Sequence, residues 1–343
     1  MRLAVIHSSY LDVPEQVNVN SDSFSKAGAL AYIRGNLSKN YRMLSEAGEK
    51  GADLAITNED FGAIGMYIRN LRYPKLFGEL TAELEKEIAG NISQIAKKYR
   101  MNITANEYET AGGNIFNTSV FYNRDGIRAG SQQKIHLPPG ERIKVTAGEK
   151  PCVIETDIGV IGFCICYDII FPEYCRVLTL MGADIIVHQT QGWGMGGIPA
   201  NEAGKALVCT RAVENSVYFM VAKNIQIEGG MSCILDSHGR ILAHAPSKTE
   251  QVITADITPD FKKTEKYHFD NYYAGVESTK ARSLLGRRPE IYGILTDPHP
   301  TVLENYPGER LCNGEELAAR IRALSEMEQA DGEERKKYHW FVN

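Results

Sequence analysis

The stretch GFCICYDIIFPEYCR, Gly162–Arg176, crowds Cys164, Cys166 and Cys175 around Asp168, Glu173 and Pro172. A thiol can serve as nucleophile, metal ligand or redox partner, and its surroundings decide which. The thiolate is the reactive form, yet a free thiol is mostly protonated near neutral pH. Moving a pKa of about 8.5 below 7 takes roughly 2 kcal/mol of differential stabilisation. A positioned base can instead take the proton as attack occurs. The run VIGFCI is apolar throughout and reads as a strand buried on both faces, with Cys164 as a core residue. Pro172 suits the first turn of a helix, which makes Cys175 a packing residue. Cys166 then stands at the strand's carboxyl end, where ligand clefts form in open α/β sheets.

What could activate it is less plain from position. His136 and His188 are possible bases, but each better suits a satisfied packing or structural histidine. Glu59, in ITNEDFG, comes directly after the strand-like DLAIT. Burial there would raise its pKa toward that of a base. Position alone does not separate it from a solvated loop acid. Lys134, in QQKIHLPPGE, ends another β-type run and could hold a developing oxyanion. It could also be an ordinary exposed lysine.

The elements that position these residues emerge from hydrophobic periodicity. RLAVIH, Arg2–His7, reads as a buried strand, and a polar loop runs from there to about Ser25. Leu30, Ile33, Leu37, Tyr41 and Leu44 recur at helical spacing. DLAIT is the next strand, Leu84, Ile88, Ile92 and Ile95 mark a second helix, and NITAN is the strand after it. Hairpin signals then appear around NRDG and around Asp157–Gly159. Helix and strand alternate again from Pro172 to VYFMVAKN, and CILDSHGRILAH and QVITADI complete the β content. Hairpins spliced into βα units imply an α/β fold with mixed sheets rather than an all-parallel one. From about Thr258 the core pattern stops, except for Leu317, Ile321, Leu324 and Met327, which suggest one amphipathic helix.

The chain has 343 residues, 43% of them apolar, and a net charge of −5, enough for one large core. No dense Lys/Arg block is present, which argues against nucleic acid or an anionic membrane as the main partner. No secretory signal and no apolar run of membrane-spanning length is read. Seven cysteines without loop-framework spacing suggest free thiols in a reducing cytoplasm.

The chain resembles the carbon–nitrogen hydrolase family, or nitrilase superfamily, on several ordered motifs. KIHLPPGE carries Lys134, Leu137 and Glu141 at the family's spacing, and CYDIIFPE, Cys166–Glu173, matches every fixed position of the cysteine motif. RAVENSVYFMVAKN and GMSCILDSHGRILA extend the similarity, which covers roughly Met1–Asp260. The resemblance implies an α-β-β-α sandwich that stacks into a four-layer assembly on dimerisation. It implies a hydrolase domain over 1–260 and an extension over 261–343 packed at a subunit interface. It assigns Cys166 as nucleophile, Glu59 as general base, Lys134 as oxyanion donor and Glu141 as an extra acid. The Tyr167 N–H would be the second oxyanion donor. Ile170, Gln191 and Trp193 are the other candidates for substrate contact. The expected reaction is hydrolysis of an aliphatic amide or N-carbamoyl amine through a thioester, with no metal or organic cofactor. A small amide-type molecule and a second copy of the chain are the expected partners.

Some features depart from the family pattern. Asn58 precedes Glu59 where proline is usual. Ile169 and Ile170 stand where many relatives have arginine, which weighs against a substrate carboxylate. Tyr167–Asp168 in place of Trp–Glu favours an amidase over a nitrilase, the alternative activity. The insertion SSYLDVPEQVNVNSDSFSKAG either covers the site or forms a plain surface loop. Two other classes stay open: a metal or redox protein built on Cys164-x-Cys166, and a catalytically silent binding protein on this fold.

Overall fold

The computed structural model describes residues 1–68, 70, 72–192, 200–227, 230–245, 248–258, 279–305, 315–316 and 319. The chain divides into two compact units, Met1–Pro259 and Asp260–Asn343. The first contains two six-stranded sheets, one ordered β12-β1-β2-β3-β4-β5 and the other β11-β10-β9-β8-β7-β6. In the first sheet β1 (Arg2–His7), β2 (Leu54–Ile56) and β3 (Asn102–Ala111) run parallel. β4 (Asn114–Tyr122) and β5 (Arg128–Gln133) extend it antiparallel, and β12 (Gln251–Asp256) closes its other edge. The second repeats the plan. β7 (Gly159–Ile165), β8 (Ile185–Thr190) and β9 (Tyr218–Lys223) are parallel. β6 (Val153–Thr156), β10 (Cys233–Leu235) and β11 (Ile241–His244) are antiparallel additions.

Alternation along the strands makes the layers. Ala4 and Ile6 of β1 join a core with α1 (Lys26–Glu49) and α2 (Leu76–Tyr99). Leu3 and Val5, the opposite set, are equally buried and face away from those helices. Likewise Cys164 of β7 packs under α3 (Pro172–Leu180) and α4 (Ala200–Asn215), while Phe163 and Ile165 are buried on the other face. The result is the expected α-β-β-α sandwich. Each fully buried aliphatic side chain contributes about 1.5–3 kcal/mol. The sheets are also joined by polar contacts. Gln189 of β8 donates to Thr57 O at 3.0 Å and Thr104 O at 3.2 Å, and its Oε1 accepts from Ser119.

The helix α1 begins and ends beyond its apolar stripe. Ser25 caps it, accepting from the Gly28 N–H at 3.0 Å. Its polar side chains are buried because they anchor loops. Asn36 Oδ1 accepts from the Leu11 N–H at 2.8 Å, and Asn40 donates to Phe61 O at 3.0 Å. Lys39 donates to Ser9 O at 2.6 Å. The insertion after β1 and the loop after β2 are thus both tied to one helix.

In the second unit, α5 (Thr279–Leu285) is succeeded by three short 3-10 turns, with Leu285, Ile291, Ile294 and Leu295 exposed. The amphipathic helix expected from Leu317 to Met327 lies outside the described residues.

Candidate active site

Two loops that leave central parallel strands meet between the sheets. One leaves β2 and carries Glu59; the other leaves β7 and carries Cys166. Lys134 continues directly from β5, and its N–H donates to Asn117 O at 2.8 Å.

Glu59 and Lys134 are 2% and 1% exposed, so the charges lie out of water. The Lys134 ammonium is 2.8 Å from Glu59 Oε1 and 2.8 Å from Glu141 Oε2. The second contact is an ion pair, and among the described residues Glu141 Oε2 meets no hydrogen-bond geometry. Asn117 of β4 donates to Glu59 Oε1 at 2.9 Å and to Glu141 Oε1 at 3.3 Å. The Gln191 N–H donates to Glu59 Oε2 at 2.9 Å. Burial pushes the Glu59 carboxyl up, but Lys134 and the converging donors outweigh it and hold the group below its ordinary range. Burial would lower Lys134; the two glutamates override this and hold it well above the usual lysine value. Burial dominates at Glu141, and the neighbouring Glu59 charge adds to it, so that carboxyl is raised despite Lys134.

Cys166 has a φ of +45°, a left-handed conformation that costs a non-glycine residue about 1–2 kcal/mol. A braced turn holds this strain in place. Cys166–Ile170 form a 3-10 turn, and Asp168, fully buried, fastens it. Asp168 Oδ2 accepts from the Ile165 N–H at 3.0 Å, and Oδ1 accepts from the His136 N–H at 2.8 Å. Arg211 donates to Ile169 O at 3.1 Å from the far side. The thiol lies beside Glu59 and Thr190, which act on its ionisation. Burial, then the Glu59 charge, pushes the Cys166 thiol up to about 12 despite Lys134. The proton therefore stays on sulfur at rest, next to an ionised carboxylate able to receive it. Tyr167 lies at the start of the turn, where the first N–H groups lack an intrahelical partner.

The structure thus brings Glu59, Lys134, Glu141 and Cys166 together. Gln191 also belongs to this cluster, as a brace: its side chain donates to Glu59 O at 2.7 Å and to the Tyr10 hydroxyl. Ile170 does not join it, because its side chain packs against the core beneath α3 and α4. Trp193 lies outside the described residues. Neither histidine reaches the thiol. His136 Nδ1 contacts Asp168 Oδ1 at 2.8 Å and its ring stacks on Phe171. His188 is buried in the helix-facing layer with Nδ1 3.0 Å from Cys164 O, and burial lowers it to about 4. Cys164 packs with Cys175 in that layer, so Cys164 and Cys166 do not converge as a ligand or disulfide pair. Asn117, Thr190 and the bracing role of Asp168 escaped sequence reasoning. The available signal was a polar residue at an inward strand position or inside an apolar run.

A model described as carbon-nitrogen hydrolase matches residues 30–266. The chain belongs to the carbon-nitrogen hydrolase family. Among similar members, an omega-amidase of Saccharomyces cerevisiae is 30% identical over 187 residues, covering 49% of this chain and 63% of that protein. A probable hydrolase of Bacillus subtilis is 26% identical over 271 residues, covering 72% of this chain and 49% of its own length. The match therefore spans less than two thirds of either relative. An N-carbamoylputrescine amidase of Arabidopsis thaliana is 25% identical over 293 residues, covering 77% and 90% of the two chains. Among solved structures, an amidase from Nesterenkonia sp. AN1 superposes with a TM-score of 0.64 at 21% identity, over 85% of this chain and 98% of that one. This member of the carbon-nitrogen hydrolase family has, among its described residues, no helix long and apolar enough to cross a membrane.

Proposed function

We propose that this protein is a cysteine-dependent amidohydrolase acting on a non-peptide C–N bond of a small amide or N-carbamoyl amine. One observation carries the reading: a single buried carboxylate, Glu59, accepts a hydrogen bond from the Lys134 ammonium at 2.8 Å and lies against the Cys166 thiol. The amidase relatives support the same reaction class.

Cys166 Sγ attacks the amide carbon while its proton passes to Glu59. The S–C bond forms and the carbonyl π pair becomes an oxyanion, held by the Lys134 ammonium and the Tyr167 N–H. The tetrahedral species collapses as the C–N bond breaks, and Glu59 returns the proton to the departing nitrogen. Ammonia or an amine leaves a thioester. Water then attacks the thioester carbon, giving its proton to Glu59. The C–S bond breaks, the acid is released and the thiol regains its proton. Glu141, raised in pKa beside Lys134, orients the amide or assists the proton transfers. Concerted deprotonation suits this site, since the resting thiol is not ionised.

Ile169 and Ile170 leave the motif without its frequent arginine, which favours substrates lacking a carboxylate. We also propose that the chain acts as a homodimer or larger homo-oligomer in the cytoplasm, with residues 261–343 forming an arm at the subunit interface. Ammonia release should be measured across aliphatic amides, carbamoyl amines, carbamoyl acids and nitriles. The expected result is release from an amide or carbamoyl amine that Cys166→Ala abolishes. Release that survives Cys166→Ala, or turnover of nitriles alone, would overturn the reading.

A further inference from the structure

The insertion after β1 sends one side chain to the reacting centre. Tyr10 packs against the core of the first sheet and places its hydroxyl between two loops. The hydroxyl accepts from the side-chain amide of Gln191, in the loop after β8. It lies 3.0 Å from Asp60 O and 3.1 Å from Asp60 Oδ2, in the loop after β2. A phenol carries one hydrogen and can also accept, so this one donates to Asp60 while it accepts from Gln191. Gln191 extends the chain of bonds to Glu59. Its side-chain amide donates to Glu59 O at 2.7 Å, and its own N–H donates to Glu59 Oε2 at 2.9 Å. Both carbonyls of the Glu59–Asp60 pair are therefore held, one directly by Tyr10 and the other through Gln191.

The insertion does not need this hydroxyl to stay in place. The Tyr10 N–H donates to Gln226 Oε1 at 3.2 Å, and the Gln226 side chain donates back to Tyr10 O at 3.1 Å. On one side the Ser9 N–H donates to Glu250 Oε1 at 3.0 Å. On the other the Leu11 N–H is bonded to Asn36, and Leu11 O accepts from the Tyr32 hydroxyl at 2.9 Å. The backbone around the ring is thus fastened by other groups, and what the hydroxyl adds falls at Glu59. Lys134 and Asn117 both fix Oε1 of that carboxylate, whereas Oε2 rests on the Gln191 N–H. A donor holds a carboxylate in one orientation only if its own peptide cannot turn. The bonds from the Gln191 side chain to Glu59 O and to Tyr10 supply that restraint.

We propose that Tyr10 is a positioning residue which, through Gln191, aims the Glu59 carboxylate at the Cys166 thiol, so that the insertion after β1 belongs to the catalytic apparatus. The inference rests on the amidohydrolase reading above and gives its general base an orienting partner. Apart from Tyr10, the titratable groups that face Glu59 are Lys134, Glu141, Cys166, Asp60, Tyr108 and His188. Tyr10→Phe removes none of them. Its one direct electrostatic effect is on Asp60, which loses a donor and is held neutral more firmly. A less charged Asp60 would lower the Glu59 pKa. Loss of the restrained Gln191 N–H would raise it, because that donor helps to hold the carboxyl low. The direction of the shift therefore identifies the route.

The test uses the full chain and a small neutral electrophile, iodoacetamide, so that no substrate is needed. Its methylene carbon bonds to the Cys166 sulfur as iodide leaves, and the thiol proton passes to Glu59. Peptide mapping reads the rate at Cys166 alone, from about pH 4 to pH 8, a range that begins near the ordinary glutamate value. Tyr10→Phe should slow alkylation at pH 7 roughly threefold to tenfold, the usual effect of one hydrogen bond. It should also move the acidic limb upward by about half a pH unit, because a carboxylate that loses a donor gains pKa. Gln191→Met keeps the backbone N–H and removes the side-chain bonds. It should do at least as much, and adding Tyr10→Phe to it should change little further. Tyr32→Phe loosens the same insertion at Leu11 and should leave both rate and limb unchanged. A wild-type rate and limb in Tyr10→Phe, an equal loss in Tyr32→Phe, or full additivity with Gln191→Met would overturn the role. If Tyr10→Phe unfolds in acid, the rates at pH 7 and the double variant still decide. Amide hydrolysis run in parallel separates the two ideas, and there Tyr10→Phe should lower kcat by a similar factor with KM unchanged. Hydrolysis with both kcat and alkylation indifferent to Tyr10→Phe removes the positioning role alone. Alkylation that depends on Tyr10 without hydrolysis of any amide removes the amidohydrolase reading alone.

Discussion

The two loops that meet at the site are built on opposite principles. On the first sheet, the buried Lys134 ammonium sits between the Glu59 and Glu141 carboxyl groups, and Asn117 donates to both of these. On the second, Cys166 is a neutral thiol on a strained backbone, fastened by Asp168 and Arg211. Charge is preorganised on one side, and geometry on the other. The contrast teaches that fold stability and chemistry are coupled at the first loop and largely separate at the second. Removing a member of the ionic set leaves buried charge behind, whereas removing the sulfur leaves only a small void.

The largest expected effect comes from the ionic side. Lys134→Ala should lower kcat by at least about 10²–10³, the usual loss for one oxyanion donor. It should also lower unfolding stability by about 3–5 kcal/mol, because two buried carboxyls lose their cation. Cys166→Ala should abolish turnover while moving stability by about 1 kcal/mol at most. Urea unfolding of the pair checks the asymmetry; equal stability losses would break the comparison.

A carboxyl elsewhere on the first sheet sharpens it. Glu107 is as buried as Glu59 but, among the described residues, is paired only with the Tyr122 hydroxyl at 2.9 Å, and burial raises it to about 8. The unfolded chain releases this proton near pH 4.3, while the folded chain keeps it to about pH 8. Between those values the unfolded state binds fewer protons, so stability falls as pH rises. Glu107→Gln keeps an acceptor for Tyr122 and removes the titration. Relative to wild type it should gain on the order of a few kcal/mol between pH 5 and pH 8, read by unfolding at both values. A constant difference across that range would show that Glu107 is ionised when folded.

Asp168→Ala strips acceptors from the Ile165 and His136 N–H groups and should cost about 2 kcal/mol. Activity should fall with it, since the turn that aims Cys166 is loosened; Asp168→Asn should restore part of both. The smallest effect isolates the strain itself. Cys166→Gly should be about 1 kcal/mol more stable than Cys166→Ala, because glycine adopts a φ of +45° without a Cβ clash.

Much of this architecture was legible in the sequence because strand ends advertise themselves. Glu59, Lys134 and Cys166 each come at the end of a strand-like run, and the hairpins around NRDG and Asp157–Gly159 showed that the sheets are mixed. The hidden part depends on register between segments far apart in the chain. Asn117 reaches Glu59 only because β4 pairs with β3 in a register that turns it inward. Tyr108 and Asp60 become neighbours only once the loop after β2 folds back at Gly65. Ile170 is misplaced by sequence position for a related reason. It sits beside the cysteine motif in sequence, but the 3-10 turn rotates its side chain into the helix layer. Periodicity also understates the length of α1, since Lys26–Ala29 and Ser45–Glu49 add no large apolar residue to the stripe.

One measurement bears most directly on the pairing of a neutral thiol with a buried Glu–Lys ion pair. Wild-type protein is mixed with a slowly turned-over amide, quenched in acid and analysed by intact mass and peptide mapping. The expected product is a single acyl group on the peptide containing Cys166, absent from Cys166→Ala and strongly reduced in Glu59→Gln. An acyl group on Cys152, Cys209 or Cys164, or hydrolysis with no Cys166 adduct under any quench, would contradict the assignment.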